Sequence, residues 1–178
     1  MLRVGTVGTS SIMRTIQEAI RLTDGMECRV VYSRTEEQGR AFAAEMGVPE
    51  HCTDYAAMLE RSDLDLIDIA SPNRFHVEQA LAALEHGKHV IVEKPAAVTR
   101  GDVQRLIDAA RANGVYFFEA ITTLFMPQYE ACRLLLPKLG RIEQAHITYA
   151  QYSSRYDAYL RGENPNIFNP AMQRSEER

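Results

Sequence analysis

The 178-residue chain has little cysteine, no adjacent pair of glycines, no basic cluster and no long apolar run, and each shortage narrows its function. Its three cysteines, Cys28, Cys52 and Cys132, are odd in number and far apart. They fit neither a disulfide framework nor a zinc spacing, so they read as buried or half-buried free thiols, with no metal site. Lys and Arg number 20 against 24 Asp and Glu, for a net charge of −4, and the basic residues are scattered, which argues against nucleic-acid binding. No apolar run reaches the ~18 residues of a membrane span, and no apolar block follows a basic N-terminus. A cytoplasmic protein with no membrane attachment is the expectation. The absence of a Gly-Lys-Ser/Thr step excludes a phosphate-loop ATPase.

With 46% hydrophobic and 25% charged residues, the composition is that of a globular protein with one full core and part of a second. From Leu2 to Ala120 the pattern alternates strand and helix. "LRVGTVG", "ECRVVYS", "LDLIDIAS", "KHVIVEK" and "VYFFEA" read as strands. Between them, apolar residues recur at helical spacing, as at Ile12, Ile16, Ala19 and Ile20. "DYAAMLERS" reads as a short helix, and "TRGD" at Thr99–Asp102 as a capping-box-like helix start. Gly47, Gly87 and Gly114 read as helix stops. Such alternation predicts an α/β fold, a doubly wound parallel sheet of Rossmann type over residues 1–120, with a site along the carboxyl ends of its strands. After Ala120 the rhythm changes. "MPQYEACRLLLPKLG" predicts a helix, "RIEQAHITYAQY" a strand, and the remainder has no clear period. One helix and one strand cannot bury a core of their own. Residues 121–178 are therefore expected to be the opening part of a second, α+β open-sheet domain. An uncovered edge or apolar face there predicts self-association.

Four stretches carry candidate chemistry. In "GTVGTSSIM" the three positions of a G-x-G-x-x-G loop fall on Gly8, Ser10 and Met13, so one glycine of three is present. Gly8 nevertheless ends a strand, and Thr9, Ser10, Ser11 and Ile12 open a helix. Free N–H groups, the helix dipole and three hydroxyls there favour a pyrophosphate, the alternative being a capped turn without ligand. At the end of the second strand, "YSRT" puts Ser33 and Arg34 where an NAD-binding chain carries a carboxylate. A hydroxyl and a guanidinium suit a 2′-phosphate, and a charge-assisted bond of roughly 1.5–3 kcal/mol favours NADP over NAD by about 10- to 100-fold. Glu36 and Glu37 nearby would weaken that preference. In "ASPNRFH", Ser71, Asn73 and His76 lie beside the nicotinamide half of such a cofactor, or Asn73 merely caps a helix and His76 packs. In "VEKPAAVT", Glu93 and Lys94 end a strand before Pro95. A lysine there can donate a proton to a carbinol oxygen as a hydride moves, and Glu93 can orient it or take a ribose hydroxyl. The bland reading is a charged strand end.

"VGTVGTSSI", "YSR", "SPNRFH", "VEKPAAVT" and "FFEAITTLFMP" together resemble the Gfo/Idh/MocA (glucose–fructose oxidoreductase, inositol dehydrogenase) family over nearly the whole chain. The resemblance implies a two-domain NAD(P)-dependent oxidoreductase acting on a sugar, polyol or diol. NADP is the expected cofactor, with NAD possible. Lys94 matches the family's catalytic lysine, Glu93 and Asn73 match cofactor-side positions, His76 matches the motif's histidine, and the peptide before Pro95 is expected to be cis. The family's second domain carries a Gly-Gly-x-x-x-Asp segment that this chain lacks, so the chain resembles a truncated member. Lys94 would then need a substitute partner, for which His146, Tyr149 and Tyr152 are the candidates. The alternative function is a dinucleotide-binding module without turnover.

Overall fold

The computed structural model describes residues 1–148, 150, 152 and 154–163. The chain divides into one compact unit over Met1–Ala120 and another over Ile121–Pro170, with Ala171–Arg178 outside the described residues.

In the first unit, six strands form one parallel sheet in the order β3-β2-β1-β4-β5-β6. They are β1 (Leu2–Val7), β2 (Met26–Tyr32), β3 (Glu50–Cys52), β4 (Leu66–Ile69), β5 (His89–Val92) and β6 (Phe117–Glu119). Five helices connect them: α1 (Ser11–Leu22), α2 (Glu36–Met46), α3 (Tyr55–Leu59), α4 (His76–Glu85) and α5 (Arg100–Ala112). The expected strands are present, most with their ends trimmed, while β2 starts one residue early at Met26. Strand β3 is an addition: three residues after Pro49, Glu50 exposed and His51 and Cys52 half-exposed, are too few to show a periodicity.

Alternation along the strands explains the layering. Met13, Ile16 and Ile20 of α1 and Phe42 and Ala43 of α2 pack on Val4, Val31, Leu66 and Ala70. The larger cluster lies on the other face. There Met58 and Leu59 of α3, Ala80, Ala83 and Leu84 of α4, and Leu106 and Ala110 of α5 cover Val7, Val30, Ile67, Ile69, Val90 and Val92. Helix ends follow local chemistry. Thr99 Oγ1 accepts from Asp102 N–H and donates to Asp102 Oδ2, so Thr99 caps the start of α5 where "TRGD" predicts a capping-box-like start. At the amino edge, Arg3 binds Asp65 through two guanidinium nitrogens at 2.9 and 2.6 Å, and Arg3 N–H donates to the same carboxylate. These bonds hold Asp65 well below the usual carboxylate range.

The second unit contains α6 (Pro127–Leu135) and the short α7 (Ser154–Leu160), with 3₁₀ turns before and after α6. No described residue from 122 to 163 is buried. The strand expected over "RIEQAHITYAQY" is not formed among its described residues, and Ile142 and Ile147 are exposed. A strand needs a neighbour to take its backbone N–H and C=O groups, and none is present there among the described residues. Tyr149 lies outside the described residues.

Candidate functional site: the carboxyl edge of the sheet

Because all six strands run parallel, their carboxyl ends share one edge, and every candidate residue of the first unit lies there or on the turn that follows. The chain passes from β1 leftward to β2 and from β4 rightward to β5, so the order reverses between β1 and β4. A crevice opens at such a switch point.

The loop after β1 lines it. Gly8 has φ +113°, and a Cβ there would sit 2.9 Å from the carbonyl oxygen of Ala70. Only glycine lets the first loop pass this close to the turn after β4. Gly8 N–H donates to Tyr32 O at 3.0 Å, continuing β1 past its last ladder residue. Ser10 holds the N-cap position of α1 in an extended conformation, but its side chain makes no capping bond. The Ser10 side chain therefore leaves the first-turn N–H groups of α1 uncapped, and the hydroxyl-bearing Ser10 and Ser11 are exposed at this helix start. Thr9 is half-buried and Ile12 exposed. Met13, at the position of the missing third glycine, is fully buried among Val31, Phe42, Ala43, Val48 and Ala70. A large side chain fills the helix–sheet gap that a glycine would close. These features fit a pyrophosphate: a glycine-only cradle beside a helix start that its N-cap side chain leaves uncapped.

Ser33 and Arg34 follow β2. Arg34 is exposed, whereas Ser33 is buried with its Cβ against Gly39 of α2. Ser33 Oγ is 3.5 Å from Thr35 N, so it shapes the turn that presents Arg34. Glu36, expected to oppose an anion here, is occupied by Arg40 Nη2 at 2.9 Å and His51 Nε2 at 2.8 Å. Those two bonds, His51 first, lower its pKa.

The β4 turn is built differently from the expectation. Asn73 does not cap α4; it opens a 3₁₀ turn (Asn73–Phe75), and α4 begins at His76. Ser71 Oγ donates to Gln79 Oε1 at 2.6 Å. His76 is 1% exposed. Its Nε2 lies 2.8 Å from Ser71 O and its Nδ1 2.9 Å from Pro95 O. The ring is thus a strut between the turn after β4 and the turn after β5, with a nitrogen set against a backbone carbonyl on each side.

Glu93 and Lys94 leave β5, with the Lys94–Pro95 peptide cis. Lys94 is exposed, and Lys94 N–H donates to Glu93 Oε2 at 3.3 Å. Beyond Pro95, Ala96 N–H donates to Glu119 Oε1 at 2.8 Å, so β6 anchors this turn as well. Glu119 and the buried Asp68 of β4 escape a reading based on motifs, since each is one acidic residue in an apolar strand. In the second unit, His146 Nε2 accepts from Gln144 at 2.7 Å and Tyr152 donates to Asp157 at 2.5 Å. Among the described residues no cluster of three or more His, Cys, Asp or Glu side chains could hold a metal ion, and no helix is long and apolar enough to cross a membrane. Cys28 and Cys52 are half-buried as expected, but Cys132 is exposed.

A six-stranded parallel sheet of this order, with a glycine cradle and an open helix start at its switch point, defines a doubly wound domain of the dinucleotide-binding kind. The chain belongs to the Gfo/Idh/MocA oxidoreductase family, whose NAD-binding Rossmann fold matches residues 2–121. It is 42% identical to the oxidoreductase YgjR of Escherichia coli (strain K12) and 37% identical to the NADP(+) scyllo-inositol 2-dehydrogenase IolU of Bacillus subtilis (strain 168). Each alignment covers 97% of this chain and 52% of the relative, so the chain spans about half the length of these curated relatives. Among solved structures it is similar to the 3-ketoreductase KijD10 of Actinomadura kijaniata in complex with NADP and TDP-benzene, with TM-score 0.73, 30% identity, and coverage of 77% of this chain and 42% of that one. Biliverdin reductase of Synechocystis sp. PCC 6803, in complex with biliverdin and NADP+, gives TM-score 0.70 at 30% identity, covering 79% of this chain and 44% of that one.

Proposed function

We propose that the chain is the dinucleotide half of an NADP-preferring oxidoreductase that moves a hydride to or from a sugar, polyol or diol. The observation that carries the reading is the Gly8 cradle against Ala70 O, facing the uncapped start of α1. When bound, a nicotinamide dinucleotide supplies or accepts the hydride. The N–H groups at the start of α1, with the Ser10 and Ser11 hydroxyls, hold its pyrophosphate. Arg34 takes the 2′-phosphate, and with Glu36 bound to Arg40 and His51 the repulsion feared from that carboxylate is muted. Lys94 gives a proton to the carbonyl oxygen in reduction and accepts it in oxidation. Glu93 fixes the direction of Lys94 or takes a ribose hydroxyl. Asn73 and Ser71 border the nicotinamide end, and His76 holds their turn against that of Lys94. Relatives that act on an inositol and on a xylose support a polyol or sugar substrate. The chain works in the cytoplasm and self-associates through apolar side chains left open, among them Phe118, Leu134 and Leu135; light scattering at rising concentration checks the association.

The test is a pair of assays on the purified chain. NADPH is titrated by its own fluorescence, and sugars and diols are screened for a change in nicotinamide absorbance. Binding with turnover that Lys94→Ala abolishes is the expected result. Binding without turnover gives the second reading, a dinucleotide-binding module. Arg34→Glu is expected to weaken NADPH about 10- to 100-fold while leaving NADH nearly unchanged; equal effects on both remove the 2′-phosphate assignment.

A further inference from the structure

The backbone ladder of β5 ends just before Lys94. Glu93 N–H donates to Ile69 O and Ala120 N–H donates to Val92 O, both at 2.8 Å. Beyond them the turn is held by side chains, and these meet on one peptide group. Pro95 O and Ala96 N–H belong to the same peptide. His76 Nδ1, from the first residue of α4, stands 2.9 Å from Pro95 O. Glu119 Oε1, from the last residue of β6, accepts from Ala96 N–H at 2.8 Å. Ala96 is 2% exposed, so little water competes for that N–H. Glu119 is out of keeping with its place. It pairs with Val92 in the parallel register and shares a face with Phe117, and both of those side chains pack in the large apolar cluster. Alternation along β6 calls for an apolar residue there. A half-buried carboxylate on a core-side face is costly unless it is hydrogen-bonded, and its charge makes the bond to a backbone N–H about twice as strong as a neutral one.

We infer that Glu119 is a positioning residue for Lys94: with His76 on the other side of the Pro95–Ala96 peptide, it fixes where the chain leaves β5 and so where the Lys94 side chain meets a bound dinucleotide. The inference rests on the dinucleotide reading above. Lys94 itself is exposed, so packing does not fix it. Its long stem reaches the same point each time only if its backbone is held, and the clamped peptide begins at the very next residue. A reacting group misplaced by about 1 Å loses on the order of 100-fold in rate, so a turn held from two sides matters to a lysine that serves a hydride transfer. Glu119 acts through the Ala96 N–H, and only its acceptor oxygen is required.

The experiment follows Lys94 directly by nuclear magnetic resonance. The chain has three lysines, Lys88, Lys94 and Lys138. Lysine labelled with carbon-13 at Cε therefore gives three signals, and Lys94→Arg identifies the one that matters. Lys88 is the internal reference: it is buried before β5, with Nζ donating to Arg61 O and Leu64 O at 2.6 and 3.0 Å. NADPH is added to saturation to the whole chain, and its own fluorescence reports binding. In the wild type the Lys94 signal is expected to move while that of Lys88 stays. In Glu119→Ala that movement is expected to fall by about half or more. Glu119→Gln, whose amide oxygen still accepts from Ala96 N–H, is expected to keep most of it. Asp65→Asn, which removes a bonded carboxylate at the opposite edge of the sheet, is expected to keep all of it. Should Glu119→Ala fail to fold, Glu119→Asp, one methylene shorter and still charged, is expected to show the same loss. Movement of the Lys94 signal that survives Glu119→Ala or Glu119→Asp, is lost in Glu119→Gln, or is lost equally in Asp65→Asn, overturns the positioning role and leaves the dinucleotide reading standing. An unmoved Lys94 signal in the wild type with NADPH bound does the same. Absence of NADPH binding overturns both.

Discussion

The unit over Met1–Ala120 and the unit over Ile121–Pro170 come from one chain with one overall composition, yet they are held in different ways. In the first, each apolar stripe finds a sheet face, and residues such as Leu84, Leu106, Ile67 and Val90 are completely shielded. In the second, α6 carries Leu134 and Leu135 with no described residue buried around them. Both units contain helices with clear apolar periodicity. Periodicity makes a helix possible; only a surface to bury it against makes it stable, since short helices are marginal in water. Pairing shows the same contrast. "LIDI" and "HVIV" become strands because neighbours accept their backbone groups on both sides, whereas residues 142–148, with an equally regular alternation, have no strand neighbour among the described residues and form no ladder there.

Hydrogen exchange tests that contrast most sharply. Amides of Val4–Val7, Leu66–Ile69 and Val90–Val92 are expected to exchange only through global opening, at about 5 kcal/mol or more, while those of residues 142–148 exchange near the unstructured rate. Comparable protection in both would break the comparison. Truncation of leucines comes next. Leu84→Ala is expected to cost about 3 kcal/mol in urea unfolding, and Leu135→Ala, at a side chain 54% exposed, less than about 0.5 kcal/mol. A loss at Leu135 as large as that at Leu84 would mean the second unit has a core of its own. Gly8→Ala is a smaller change in atoms but falls at the tightest approach in the sheet, so about 2 kcal/mol of strain is expected, together with a loss of NADPH affinity seen in the same fluorescence titration. An unaffected affinity would separate the loop from the ligand. The smallest effect belongs to the amino edge. Asp65→Asn is expected to cost about 1–2 kcal/mol at pH 7. Since the folded state holds the Asp65 pKa below its unfolded value, that contribution is complete above about pH 4 and fades as pH falls further, so wild type and variant should converge in acid. A gap that persists at low pH would argue for packing instead of charge.

Much of the candidate site was legible because its residues lie at the ends of periodic segments. Gly8, Arg34, Glu93 and Lys94 each follow the last apolar residue of a strand, and a parallel sheet must bring such positions to one edge. His76 was legible as a position, while its role stayed open between packing and cofactor contact. One residue's side chain cannot announce that both of its ring nitrogens will meet carbonyls 5 and 19 residues away. Asn73 was misjudged because a 3₁₀ turn intervenes before α4, and capping preferences do not distinguish the two starts. Asp68 was hidden for a similar reason: an acid inside "LIDI" looks like an ordinary break in a run until burial on both sides is known.

The sequence by itself determined the alternation of strand and helix, the family resemblance, and which residue types stand at the strand ends, because these depend on spacing and local conformational preference. Tertiary structure alone decided which strands are neighbours, that Met13 fills a missing glycine's place, that Ser33 turns inward while Arg34 stays out, and that Asp68 is buried. These outcomes depend on contacts between segments far apart in the chain, where burial and desolvation act on groups that the local sequence cannot bring together.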